Sequence, residues 1–183
     1  KSTTDLLQKL SDIVSKNGNF LLNVGPKSDG TFPQESIDRL SEIGDWMDVN
    51  GEAIHGTIGS PFNELPWGRA TQKLHLDATT IYLHVFDWPS NGKLEVPNLA
   101  GIISSARVLG GTTAKFTMGQ GEVTIDVPRE MPSKHIGVVA IDVIGRPVVY
   151  EEPKIQATAK QFVQHGAKVV IAEFDESNGQ QTA

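Results

Sequence analysis

Hydrophobic and polar positions divide this chain into two textures. In the first, Leu6, Leu7, Leu10, Ile13 and Val14 recur at the spacing of one helix face. Ser2, Thr3, Thr4 and Asp5 supply capping oxygens ahead of it, and the Ser2/Asp5 spacing is that of a capping box. Asn17-Gly18 reads as the helix stop, with the glycine taking the left-handed conformation. Phe20 to Val24 is apolar enough for a strand buried on both faces, the kind found in parallel sheets. A polar loop follows, and Pro33 suits the first turn of a second helix. Ile37, Leu40, Ile43, Trp46 and Met47 form the apolar stripe of that helix, which Asn50-Gly51 ends. Helix, strand, loop and helix joined by short connections form an α/β pattern.

After Gly56 the period changes from helical to alternating. From Pro61 to Val149 the chain shows strand-like runs separated by turn residues. The stretch from Thr79, TTIYLHVFDW, alternates strictly, and Ser90-Asn91-Gly92 after it carries a hairpin-turn signature. Further strands are predicted at 93–96, 104–109, 114–118, 123–127 and 135–144. Short, closely spaced strands over about 90 residues suggest an antiparallel sandwich. On the strand from Thr80, Ile81, Leu83 and Val85 point one way, and Tyr82, His84, Phe86 and Trp88 the other. The aromatic row could stack on sugars or pack the sheet against helices. Two apolar faces on one strand favour packing, with Tyr82, Phe86 and Trp88 at least partly buried against the helices. Trp46 and Trp67 read as core or interface residues.

Composition narrows the function classes. A chain of 183 residues with 38% hydrophobic and 21% charged residues can build a core. A net charge of −6 argues against a nucleic-acid partner, and no apolar run is long enough to span a membrane. Cysteine is absent, so disulfides and thiolate metal sites are excluded. The five histidines form no close ligand pair and read as surface or core residues, so no metal is implied. Lys1 lies at the edge of a helical pattern, and the sequence reads as a fragment of something longer.

Two motifs in the first texture carry a resemblance. IVSKNGNFLLNVGPKSDGTFP from Ile13 and NGEAIHGT from Asn50 resemble the end of the catalytic barrel in glycoside hydrolase family 29, the retaining α-L-fucosidases. His55 stands where many members have tyrosine. PWGRATQK and IYLHVFDWPSNGKLEVP resemble the start of that family's C-terminal β-sandwich. The resemblance implies an α/β plus all-β fold: the terminal segment of a (β/α)8-type barrel over 1–57, then an antiparallel β-sandwich over 58–150. Residues 151–183 would be a tail, or the start of a further small β module. Residues 20–24 would be the last barrel strand, and the loop from Asn23 to Phe32 would lie at the barrel's catalytic end.

The implied chemistry is hydrolysis of terminal α-L-fucosyl linkages through a covalent glycosyl-enzyme. It needs two carboxyl groups about 5 Å apart. By resemblance both lie upstream of Lys1, so no catalytic residue is assigned in this chain, which alone is expected to be inactive. Asp29 and Glu35 could form a pair, but they also suit a turn and a helix N-terminus, which is the preferred reading. Asn23 and Lys27 are the candidate substrate-binding residues; alternatively Asn23 bonds loop backbone and Lys27 is solvated. No cofactor is implied. The expected partners are a fucosylated glycan and the remainder of the catalytic barrel. A bacterial periplasmic or extracellular location is expected, although the lack of cysteine fits a cytosolic one equally. The alternative from another class is a non-catalytic carbohydrate-binding or structural β-sandwich module.

Overall fold

The capping box forms as its spacing predicts: Asp5 N–H donates to Ser2 Oγ at 3.1 Å, and Ser2 N–H donates to Asp5 Oδ2 at 3.0 Å. It opens helix α1 (Thr3–Val14) in the computed structural model, which describes residues 1–119 and 122–150. The expectation for residues 151–183 lies outside the described residues. Helix α2 (Gln34–Asn50) starts one residue after Pro33 and runs into a 3-10 turn, Gly51–Ala53.

Among the described residues nine strands follow: β1 (Gly68–Leu74), β2 (Ala78–Val85), β3 (Lys93–Pro97), β4 (Leu99–Ala100), β5 (Ile103–Val108), β6 (Phe116–Met118), β7 (Glu122–Asp126), β8 (Gly137–Ile144) and β9 (Val148–Val149). They form antiparallel sheets in the orders β1-β2-β8-β5 and β3-β7-β6, with β4-β9 as a small third pair. Strand β1 was not expected, because GRATQKL is mostly polar. It forms because β2 offers it a full ladder from Gly68↔Val85 to Leu74↔Thr79.

Strand β2 divides two cores. Ile81, Leu83 and Val85 join Val139, Ile141 and Val143 of β8 and Leu94, Val96, Val123 and Ile125 of the three-stranded sheet in one buried cluster. Its other face carries Tyr82, which packs with Leu7 of α1, Trp46 of α2, Ala53, Val138 and Ala140; Phe86 lies half-buried against this second cluster. Helix α1 and the C-terminal part of α2 thus bury one side against the four-stranded sheet.

Phe86 also carries the Arg69 guanidinium 5.9 Å from its ring centre. Being only half-buried, the ring should contribute less than the 3–5 kcal/mol of a core phenylalanine. We expect Phe86→Ala to cost about 2 kcal/mol in urea unfolding. A loss under about 0.5 kcal/mol, the range of an ordinary surface change, would remove its packing role.

Several sequence expectations are corrected. Residues 20–24 form no strand: Leu21 is 91% exposed, and Phe20, Leu22 and Val24 are only partly covered. A strand needs neighbours for its backbone groups, and the described residues place none beside this segment. At the end of α1 the left-handed residue is Asn17, with φ 60°, and not Gly18. The glycine is needed for closeness instead, since a Cβ there would meet Ile13 Cγ2 at 2.8 Å. The turn at 90–92 makes no hairpin, because β2 and β3 lie in different sheets. Trp88 packs against the inter-sheet cluster and not the helices. The alternation on which that expectation rested stops at Val85, where β2 ends. The indole now lies over Gly137, where a Cβ would come within 2.3 Å of it, and donates Nε1–H to Pro128 O at 2.7 Å.

Candidate functional site

The polar segment between the helices is anchored at its start. Asn17 Oδ1 accepts from Gly59 N–H at 2.5 Å, and Ser15 O accepts from Ser60 N–H at 2.7 Å. These bonds pin the end of α1 to the segment that leads into β1. The chain then runs without helix or strand to a tight turn before α2. There Lys27 N–H donates to Thr31 O at 2.7 Å and Gly30 N–H to Lys27 O at 3.0 Å. Asp29 Oδ1 accepts from Thr31 N–H at 2.9 Å and from Thr31 Oγ1 at 2.7 Å. The Thr31 hydroxyl, with its backbone N–H, holds the Asp29 carboxyl below the usual carboxylate range. Asp29 is therefore an ionised turn residue, unsuited to donating a proton. Glu35 lies exposed in the first turn of α2, where negative charge is favourable.

Asn23 and Lys27 are both exposed. Neither lines either of two clefts formed by the described residues. The first, about 290 Å³, lies beside α2 and is lined by Trp46, Asn50, Leu109 and His135 among others. The second, about 250 Å³, is lined by Ser15, Ser60, Phe62 and Arg69 among others. The more notable feature near the loop is apolar. Leu21 is 91% exposed, Phe32 51%, Ile37 45% and Leu40 44%. The stripe predicted on α2 is therefore covered only towards its C-terminal end, at Trp46.

The sequence reading missed two polar clusters, both on the helix-facing side of the four-stranded sheet. In the first, His84 is fully buried, with Nδ1 3.2 Å from Ser11 Oγ and Nε2 3.1 Å from Thr71 Oγ1. Thr71 Oγ1 donates its single proton to Ala53 O at 2.7 Å, so it accepts from His84 Nε2–H. Nδ1 is then the bare nitrogen, and it accepts from the Ser11 hydroxyl. Burial pushes this imidazole down to about 4. In the second cluster, Tyr82 Oη donates to Glu52 Oε2 at 3.1 Å, and Arg107 reaches Glu52 at 3.4 Å and Asp142 at 3.1 Å. Burial and the Glu52 carboxylate raise the Tyr82 hydroxyl to about 12. Desolvation would raise Asp142, but hydroxyl donation from Ser105 and Thr80 and the Arg107 charge outweigh it and hold the carboxyl low. A polar residue inside the apolar run IYLHV was the one signal available for the first cluster. The second joins residues from four separate segments and left none.

Among the described residues no three His, Asp or Glu side chains are grouped as a metal site requires, and no helix is long and apolar enough to cross a membrane.

Comparison with known proteins gives this geometry a context. Residues 1–52 match the family model described as Alpha-L-fucosidase. The chain is 36% identical over 100 residues to an alpha-L-fucosidase of Dictyostelium discoideum, covering 51% of this chain and 20% of that protein. It is similar in structure to alpha-L-fucosidase isoenzyme 1 from Paenibacillus thiaminolyticus: TM-score 0.70, 30% identity, 80% of this chain and 35% of that one. It is also similar to a family 29 alpha-L-fucosidase from Bacteroides thetaiotaomicron trapped as a covalent intermediate, with TM-score 0.67, 25% identity, 77% of this chain and 32% of that one. The chain thus spans about a fifth of the curated relative and about a third of the solved structures.

Proposed function

We propose that this chain, a homologue of the α-L-fucosidases, is the C-terminal part of a retaining α-L-fucosidase, supplying the end of its catalytic barrel and the β-sandwich behind it. The intact enzyme would release terminal α-L-fucose from glycans in a bacterial periplasm or outside the cell. The observation that carries this reading is the state of residues 20–24. FLLNV has the composition of a buried strand, follows a pinned helix end, and yet exposes Leu21 by 91%. Phe32, Ile37 and Leu40 are exposed as well, and the natural cover for these apolar side chains is the remainder of a barrel. In that assembly residues 20–24 become the last barrel strand, and the loop from Asn23 to Phe32 joins the rim where barrel enzymes hold substrate. Asn23 and Lys27 are then placed to touch the sugar. The covalent intermediate named for the Bacteroides relative supports a retaining route for the intact enzyme, with the two carboxyl groups contributed by the barrel portion.

The test is to join this chain to the preceding barrel portion of the Paenibacillus relative and to assay an aryl α-L-fucoside. A folded fusion should hydrolyse it with net retention at the anomeric carbon, and a folded but inactive fusion would overturn the reading. Leu21→Asp separates the two settings. In the chain alone it should change stability by less than about 0.5 kcal/mol, because the side chain is already in water. In the fusion it should abolish soluble, active protein, because a buried unpaired carboxylate costs several kcal/mol. Equal effects in both settings would mean that Leu21 does not enter a barrel.

A further inference from the structure

We propose that His84 is an acid-sensitive latch that holds helix α1 against the four-stranded sheet and releases it when the imidazole takes up a second proton. This concerns the helix–sheet interface itself and stands whether or not the chain serves a fucosidase.

The geometry makes His84 the polar centre of that interface. Its two nitrogens bond α1 through Ser11 and β1 through Thr71, and Thr71 carries the connection on to Ala53 after α2. Every hydroxyl proton in the relay is assigned, and the direction is set by the Ala53 carbonyl. The proton taken up must go to Nδ1, which now accepts from Ser11. Protonation therefore turns one acceptor into a donor, forces the Ser11 hydroxyl to reverse, and leaves a charge in a site closed to water.

Among the described residues no neighbouring carboxylate is free to offset that charge. On α1 the adjacent Asp12 is held by Lys16 at 2.8 Å and Arg69 at 2.6 Å. On β1, Arg69 and Lys73 flank Thr71 on the same face, and both are cationic. Beside Ala53, Glu52 is engaged with Tyr82 and Arg107. On β8 the cross-strand partner is Val138, and Asp142, four residues on, is held by Thr80, Ser105 and Arg107. His84 bonds no carboxylate, and although the Ala53 backbone favours its charged form, burial outweighs that help. His135 touches α1 separately, with Nδ1 3.0 Å from Thr4 Oγ1, and is the natural control.

Relief is easiest at α1. The helix buries Leu6 and Leu7 and partly covers Leu10 as its apolar contacts, whereas β2 is laddered to β1 on one side and to β8 on the other. An opened α1 exposes the ring to water, where it titrates near 6.5 and not near 4. Between these values the open form binds a proton that the closed form does not. The latch is therefore unaffected above about pH 7, weakens as pH falls from about 6.5 to 4, and changes no further below. Between pH 7 and pH 4.5 the opening equilibrium should rise on the order of 10²-fold.

The experiment is amide hydrogen exchange on the full 183-residue chain at pH 7 and pH 4.5, corrected for intrinsic exchange. Protection of α1 should fall by more than about tenfold while β2 and β8 keep theirs. His84→Gln, which cannot titrate, should abolish the difference, and His135→Gln should preserve it. Unchanged α1 protection in the wild type, or an equal fall in His84→Gln, would overturn the proposal. Because His84→Gln could fail to fold, an NMR titration of the wild-type imidazole gives a second reading. Titration at the ordinary histidine pH, with no accompanying change in α1, would also overturn it.

Discussion

The 183-residue chain by itself is expected to leave an aryl α-L-fucoside unhydrolysed. A retaining mechanism needs one carboxylate as nucleophile and a second carboxyl that first donates and then removes a proton, about 5 Å apart. The carboxylates nearest the loop are unsuited to those roles. Asp29 is held ionised by Thr31, whereas the acid partner needs its proton at working pH. Glu35 stands exposed at the start of α2. Others are engaged in structure: Asp5 in the cap of α1, Asp12 with Arg69 and Lys16, Glu42 with Thr3, Asp142 with two hydroxyls and Arg107. General acid–base help alone is worth roughly 10²–10⁴-fold, and covalent catalysis would be missing too. Turnover should therefore lie at least about 10⁴-fold below that of the active fusion measured under the same conditions. Activity within tenfold of the fusion would mean that a working carboxylate pair resides in this chain.

Trp46→Ala should be the most damaging single substitution on the helix-facing side of the sheet. The indole is 4% exposed and packs with Leu7, Tyr82 and Val138, so it joins both helices to the sheet. Its Nε1–H donates to Ile136 O at 3.0 Å, and its own carbonyl accepts from Asn50 Nδ2 at 3.0 Å. Truncation leaves a cavity and strips Ile136 O of this donor. Large aromatic-to-alanine changes in cores cost about 3–5 kcal/mol, and an unsatisfied buried acceptor adds to this. That is a large share of the 5–15 kcal/mol typical of a folded domain. Urea unfolding should show a loss near 4 kcal/mol. Trp46→Phe keeps much of the ring but not the donor and should fall about 1–2 kcal/mol below wild type. A loss under 1 kcal/mol for Trp46→Ala would mean that α2 does not depend on this anchor.

Local rules were enough for much of the architecture. The capping box at Ser2, the helical periods on either side of the loop, and the alternation of IYLHV each depend on neighbours within a few residues. Each appears in the structure close to where its pattern lies. The burial of β2 on both faces was legible for the same reason, since Ile81, Leu83 and Val85 fill one side and Tyr82 begins an aromatic row on the other. The 13–33 motif is long enough to carry the family resemblance by itself.

What depends on distant partners could not be read that way. FLLNV has the composition of a strand, yet a strand exists only where other strands accept its hydrogen bonds, and here Leu21 stands in solvent. GRATQKL has little strand signal of its own and becomes β1 because β2 lies beside it. The Asn-Gly turn at 91–92 moves the chain between sheets, since pairing is decided by which strand buries which face and not by the turn. His84 looked like an ordinary core histidine. Only the approach of α1, β1 and the end of α2 from three parts of the chain gave it Ser11, Thr71 and, through Thr71, Ala53 as a directed set of hydrogen bonds. Composition and period are local properties, whereas the satisfaction of a buried polar group belongs to the assembled fold, and that is where this chain keeps its most specific chemistry.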